Sequence, residues 1–267
     1  MYFLSFVIVE GVSVMLVALT REVSAGIGRC ELAYQVREPI DVERARRQHR
    51  RYEEGLAALG CTVQRLPEAP ALPDAVFVED TAIVLDEVAV MTRPGAESRR
   101  PEVGAVADAL RAYRPLVRIE APGTLDGGDA LRLDRHIYVG LSHRSNEAGV
   151  GQLRDLLGGF GYEVTGVRVG RCLHLKSAVT RVGEDRLLVN PQWVDADIFR
   201  RMSPIEVDPG EPSAANALLL GDGVIFPSAY PGTIRRLERQ GIRVHAVDVS
   251  ELAKAEGGVT CCSLIIS

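Results

Sequence analysis

The strongest constraint on this chain is a recurring order of elements. Strand-like runs lie at 61–66, 75–85, 88–92, 116–119, 130–133, 136–140, 163–169, 187–189, 217–220, 224–226 and 243–247, with helical stretches between them. The unit strand–strand–helix–strand repeats about five times, every 45–50 residues or so, and a period of that size marks an array of small units. One such unit cannot bury its apolar face alone and must stack on its neighbours. A radial stack leaves a central channel where turns from every unit meet, so residues far apart in sequence can share one pocket.

The helical signals are local and specific. Asp41 can cap a helix whose apolar positions are Val42, Ala45, Tyr52, Leu56 and Leu59, with Gly60 ending it. Its Arg44, Arg46, Arg47, Arg50 and Arg51 are interleaved with Glu43, Glu53 and Glu54, which describes a solvated face. A second helix begins near Ser98 and runs along Val103, Val106, Ala107 and Leu110. A third starts at Ser145, buries Val150, Leu153, Leu156 and Leu157, and stops at Gly158 and Gly159. Weaker helical signals lie at 193–202 and 233–240. No low-complexity linker interrupts the series, so residues 15–267 read as a single domain whose first strand opens at Met15. Residues 1–14 are nearly all apolar, yet Glu10 interrupts them and the first cation is Arg21. A signal peptide begins with positive charge and a spanning helix lacks a central carboxylate. The expectation is an N-terminal extension or a mis-called start, rather than a membrane anchor.

Net charge is −5 over 267 residues. That argues against general nucleic-acid binding, which draws on cationic contacts to phosphate, and leaves small cationic ligands open. The cysteines are Cys30, Cys61, Cys172, Cys261 and Cys262, an odd and scattered set unlike a secreted disulfide framework. The expected location is the cytoplasm.

Four segments concentrate reactive groups. Glu79 and Asp80 end an apolar run that starts after Asp74, and adjacent carboxylates there are costly unless paired. They read either as an exposed strand end or as a fork for a planar cation such as guanidinium. Asp126 precedes Gly127, Gly128 and Asp129, which fits a plain turn or a close approach of backbone to a ligand. His174 lies in a strand-like run two residues after Cys172; two candidate ligands do not make a zinc site. Cys261 follows Gly257 and Gly258 near the C-terminus, a setting that suits a cysteine nucleophile assembled with a distant histidine.

Taken together, these segments resemble the dimethylarginine dimethylaminohydrolase family of the guanidine-modifying (pentein) superfamily. The resemblance rests on Phe77 to Asp80, Thr92 to Ala96 with Ser98 to Arg100, Thr124 to Asp129, Val139 to Ser142 with Arg144, Leu173 to Ser177, and Thr260 to Ser263, in that order. Arginine deiminases share the glycine–aspartate and histidine segments but differ around Phe77 to Asp80. The resemblance implies an α/β fold, a five-bladed αβ-propeller of pseudo-fivefold ββαβ units around a central active-site channel. It implies Cys261 as nucleophile, His174 as general acid and base, and Asp126 as the carboxylate that orients the histidine. Glu79 and Asp80 would hold the guanidinium, Asp74 the α-amine, and Arg99 and Arg144 the α-carboxylate. Leu32 would sit on a lid loop, and Ala255 would contact substrate through its backbone. The implied reaction hydrolyses methylated arginine to citrulline and an amine, with no cofactor, no metal, no nucleic acid and no membrane. A homodimer is among its expectations. Rival readings are a deiminase, an amidinotransferase and a non-enzymatic binding propeller.

Overall fold

The computed structural model describes residues 8–9, 12–13, 16–199 and 202–267. Among these, five three-stranded sheets account for the repeat, and a further small sheet pairs Ile8–Val9 with Val12–Ser13. Blade II is Ala82–Val84, Ala89–Met91 and Leu116–Arg118; blade III is Ala130–Leu133, His136–Leu141 and Glu163–Arg168. Blade IV is Val179–Arg181, Arg186–Val189 and Ser203–Glu206; blade V is Leu218–Leu220, Gly223–Pro227 and Arg243–Val247. In each, the first two strands are antiparallel and the third runs parallel to the second after a crossover. Blade I closes the ring from both ends of the chain. Its middle strand Leu16–Arg21 is flanked by Cys61–Leu66 (parallel) and by Leu264–Ile266 (antiparallel), the last strand of the sequence.

The middle strands explain why the pattern is apolar rather than cleanly alternating. Successive side chains on a strand point to opposite faces, and here both faces are covered. In blade I, Val17 and Leu19 pack toward blade II while Ala18 packs toward blade V. In blade III, Ile137 and Val139 face blade II and Tyr138 faces blade IV. In blade V, Val224 and Phe226 face blade IV and Ile225 faces blade I. The core is therefore a ring of five apolar clusters, one at each junction between neighbouring blades.

The crossovers are helices Val42–Ala58, Val103–Leu110, Glu147–Gly158 and Pro231–Arg239. The Asp41 side chain accepts from the Arg44 amide, as its capping role requires, whereas the third helix is capped by Asn146 rather than Ser145. Blade IV departs from the pattern. The helix expected over 193–202 is one 3-10 turn, Ala196–Ile198, and positions 200–201 lie outside the described residues. The strand expected over 75–85 is confined to Ala82–Val84, because Val78–Thr81 turn as a 3-10 helix. His174 is not in a strand either; it immediately precedes the short helix Leu175–Ala178. Met15, and most of the 1–14 segment expected to be an extension, lie outside the described residues. No helix among the described residues is long and apolar enough to cross a membrane.

Candidate active site

The reactive segments occupy one recurring structural position, the turn that leads into the first strand of a blade. Glu79 and Asp80 precede Ala82–Val84; Asp126 to Asp129 precede Ala130–Leu133; His174 and Lys176 precede Val179–Arg181. Asn216 precedes Leu218–Leu220, and Cys261 precedes Leu264–Ile266. Five turns thus contribute to one site, and small residues let them close on each other. A Cβ on Gly128 would lie 2.6 Å from His174 Nδ1 and 2.8 Å from Asp80 Oδ1. One on Gly257 would lie 2.1 Å from the Phe77 ring.

His174 is the centre of the charge network. Its Nε2 bonds Asp126 Oδ2 at 3.1 Å, and its Nδ1 lies 3.8 Å from Asp80 Oδ1. The imidazole is only 3% exposed. Burial works against its charge, but Asp80, the hydrogen bond to Asp126 and nearby Asp129 prevail and raise its pKa to about 9. Burial likewise opposes charge on Asp80, yet His174 and Arg99 hold its carboxyl below the usual range. Asp126 is fixed by the Gly95 amide on its Oδ1 at 2.8 Å. Asp129, pushed up to about 6 by burial, accepts from Ser142, Ser145 and the Leu175 amide, tying the Arg144 loop to the His174 turn.

Glu79 is held from three sides. Lys176 Nζ donates to Oε1 at 2.7 Å, Thr260 Oγ1 donates to Oε2 at 2.7 Å, and the Glu79 amide donates to the Cys261 carbonyl at 3.1 Å. Cys261 is half-buried, and its Sγ accepts from the Gly258 amide at 3.3 Å. Burial and the charges of Glu79 and Asp80 push its thiol well above the ordinary value. Cys262 is buried in the cluster between blades V and I, against which Cys261 is partly packed. Cys172 is also buried, its thiol raised to about 12, and its Sγ donates to the His174 carbonyl rather than sharing a ligand with the imidazole.

The two arginines differ. Arg99 is wholly engaged, through Nη1 to Asp80 at 2.5 Å, Nη2 to Glu102 at 2.8 Å, and Nη2 to the Phe77 and Asp74 carbonyls. Arg144 Nη1 is buried with no hydrogen-bond partner and stands 3.5 Å from Asp126 Oδ2. An unpaired buried donor is costly, so a ligand anion placed there would be welcome. Asp74 accepts the Glu31 amide with both oxygens, which brings it beside Leu32, itself half-buried against the blade V–I cluster. Ala255 lies in that same cluster. Bonds and ion pairs link Asp126, His174, Asp80, Arg99, Asp74 and Arg144, the Glu79 amide meets the Cys261 carbonyl, and Leu32, Cys261 and Ala255 share the blade V–I cluster. Lys176, Thr260, Asn216 and Glu256 join them without having been given a role. Asn216 braces the turn, donating to the Lys176 carbonyl and Thr260 Oγ1. Lys176 and Thr260 stood inside recognised segments, whereas Asn216 and Glu256 carried no local signal.

Asp80, Asp126 and His174 present ligand atoms within 4.8 Å of one another. An imidazole that stays protonated to about 9 offers N–H donors rather than a lone pair, so this set suits proton transfer better than metal binding. Converging turns of an αβ-propeller that carry a thiol, a charged imidazole and paired carboxylates describe a class of site suited to a planar cation.

Comparison with known proteins narrows the class. A family model described as N,N dimethylarginine dimethylhydrolase, eukaryotic, matches residues 27–203. The N(G),N(G)-dimethylarginine dimethylaminohydrolase of Pseudomonas aeruginosa is 37% identical over 226 residues, covering 84% of this chain and 89% of its own. That of Streptomyces coelicolor is 38% identical over 249 residues, covering 92% and 95%. The solved structure of a cysteine-to-serine mutant of the Pseudomonas aeruginosa protein, complexed with citrulline, superposes with a TM-score of 0.90 at 34% identity, covering 95% of this chain and all of that one. The chain belongs to the dimethylarginine dimethylaminohydrolase family.

Proposed function

We infer that this protein hydrolyses N-omega-methylated arginines to citrulline and dimethylamine or methylamine, with Cys261 as the nucleophile. The observation that carries the reading is the charged His174 held between Asp126 and Asp80, in the same cluster of turns as Cys261 and Glu79. The citrulline complex of the Pseudomonas aeruginosa relative supports it.

Guanidinium resists hydrolysis because its charge is delocalised. Glu79 and Asp80 hold the cation flat and fix where its charge sits. The resting thiol is protonated, and the incoming cation offsets the carboxylates that keep it so, so that the thiol proton passes to solvent. The thiolate attacks the guanidinium carbon to give a tetrahedral adduct. His174 then gives its proton to the methylated nitrogen, the C–N bond breaks, and neutral amine leaves an S-alkylthiouronium on Cys261. Water attacks that carbon, His174 takes a proton from it, and as the C–S bond breaks the hydroxyl proton of the adduct passes to the departing sulfur, returning the Cys261 thiol, the imidazolium and citrulline. Asp126 orients the imidazole and favours its charged form. Asp74 takes the substrate α-ammonium and Arg144 its carboxylate, while Arg99, expected to share that carboxylate, is spent on Asp80 and Glu102; Leu32 and Ala255 bound the site.

The catalytic domain in this reading is residues 15–267, working in the cytoplasm; five unpaired cysteines suit a reducing compartment. A homodimer belongs to the same proposal, and light scattering of the purified chain tests it. The functional test is citrulline release from asymmetric dimethylarginine, with Cys261→Ser as the control.

A further inference from the structure

We propose that Glu256 is a positioning residue, a latch that holds the strap carrying Leu32 and Tyr34 beside the cavity of Cys261. The proposal rests on the functional reading above for its kinetic consequence, but not for the latch itself.

The geometry is a carboxylate seated on a row of backbone amides. Oε1 of Glu256 accepts from Tyr34 N at 2.6 Å, from Gln35 N at 2.6 Å and from Ala33 N at 3.2 Å, and Oε2 accepts from Ala33 N at 3.0 Å. Successive amides turned toward one point form an anion-binding nest, and bonds to an ionised acceptor are the stronger kind. The strap has little else to hold it here. Ala33, Tyr34, Gln35, Val36 and Arg37 are all exposed, and Val36 is 88% exposed, so burial of apolar surface contributes little. Arg37 ties the strap back to the Gly28 and Cys30 carbonyls, Asp74 holds the Glu31 amide, and the Tyr34 ring tilts against His143 at 5.8 Å.

The backbone of Glu256 points the same way. Its φ is +59°, a left-handed conformation that glycine adopts freely and a glutamate does not. Two glycines follow it directly, yet the strained position carries the carboxylate. Tyr34, Gln35 and Glu256 line a cavity of about 360 Å³ that also exposes Cys261. Release of the latch would open that wall. The strap is also tied to the site at Asp74, the residue assigned to the substrate α-ammonium. A bound ammonium and the Glu31 amide therefore draw on one carboxylate, and Glu256 keeps the strap in place while Asp74 turns to substrate.

The test uses two variants of the full chain. Glu256→Gly removes the carboxylate while suiting the φ of +59°, so the turn is spared. Glu256→Gln keeps one acceptor oxygen and replaces the other by a donor. Hydrogen exchange in the free protein should quicken about tenfold or more at the Ala33, Tyr34 and Gln35 amides in Glu256→Gly, with a smaller effect in Glu256→Gln. KM for asymmetric dimethylarginine should rise about tenfold while kcat does not fall more than about threefold. Unchanged exchange at those amides in Glu256→Gly would overturn the latch, as would a fall in kcat with KM unchanged. The exchange experiment needs no substrate. Failure of the wild-type chain to release citrulline would refute the functional reading, and the latch would then be judged on exchange alone.

Discussion

Asp126→Asn removes one charge from His174 while leaving an oxygen able to accept from Nε2. The raised His174 pKa, from 6.5 to about 9, is a net preference for the imidazolium of about 3.4 kcal/mol at ~1.36 kcal/mol per unit. Asp80, Asp126 and Asp129 share that preference after burial has been offset. Asp126 makes the direct hydrogen bond, at 3.1 Å, and stands after Asp80 among the groups that favour the imidazolium, so removing its charge should lower the His174 pKa. In kcat/KM, which reports the free enzyme, the alkaline limb should fall near 9 in the wild type, set by His174 because the Cys261 thiol lies higher. In Asp126→Asn that limb should move to lower pH, and kcat should drop by about 10–100-fold with a smaller change in KM. The assay is citrulline release between pH 5.5 and 10, within the range where both proteins stay folded. An alkaline limb that does not move, or a kcat within about threefold of wild type, would refute the coupling of Asp126 to His174.

Cys261→Ser should lose essentially all turnover, whereas Cys262→Ser should keep most of it and lose about 1–2 kcal/mol of stability, because Cys262 packs in a core cluster; citrulline release and urea unfolding separate the two. Arg144→Ala should raise KM about 10–100-fold, since its buried Nη1 makes no hydrogen bond and stands ready for an anion beside Asp126, and agmatine should be a poor substrate for the unmodified protein. Arg99→Ala should instead cost about 3–5 kcal/mol in urea unfolding, because it removes the ion partner of buried Glu102 and leaves Asp80 with His174 alone as its close ion partner. The folded pKa of His174 lies above its unfolded value, so its stabilisation of about 3 kcal/mol is fully present below pH 6.5 and is lost as pH rises through about 9. Urea midpoints of wild type and His174→Gly measured at pH 6 and pH 9.5 should converge at the higher pH, and a constant gap would contradict this.

Cys61–Leu66, Ala130–Leu133 and Arg243–Val247 form with the expected limits, although only Ala130–Leu133 is mostly buried and the other two keep exposed positions; their β-rich composition and flanking turn residues carried the signal. Short first strands such as Val179–Arg181 and Leu264–Ile266 were not singled out, since three residues carry too little pattern. Ser203–Glu206 contains Pro204 and is an exposed edge, a place where proline is tolerated and the apolar signal disappears. The apolar run over 75–85 concealed the turn at Val78–Thr81, and that turn is what aims Glu79 and Asp80 inward. At the site, the glycine-flanked motifs marked which segments mattered. They did not reveal the Lys176 and Thr260 bonds to Glu79, or the reach of Glu256 across to Ala33, which depend on contacts between residues up to 223 positions apart.

The central claim is tested most directly by a product balance on asymmetric dimethylarginine. Purified wild-type protein should release citrulline and dimethylamine in equal amounts, and Cys261→Ser should release neither. Unmethylated arginine should give ammonia and citrulline far more slowly. Rapid ammonia release from arginine, with no dimethylamine from the methylated substrate, would contradict the account.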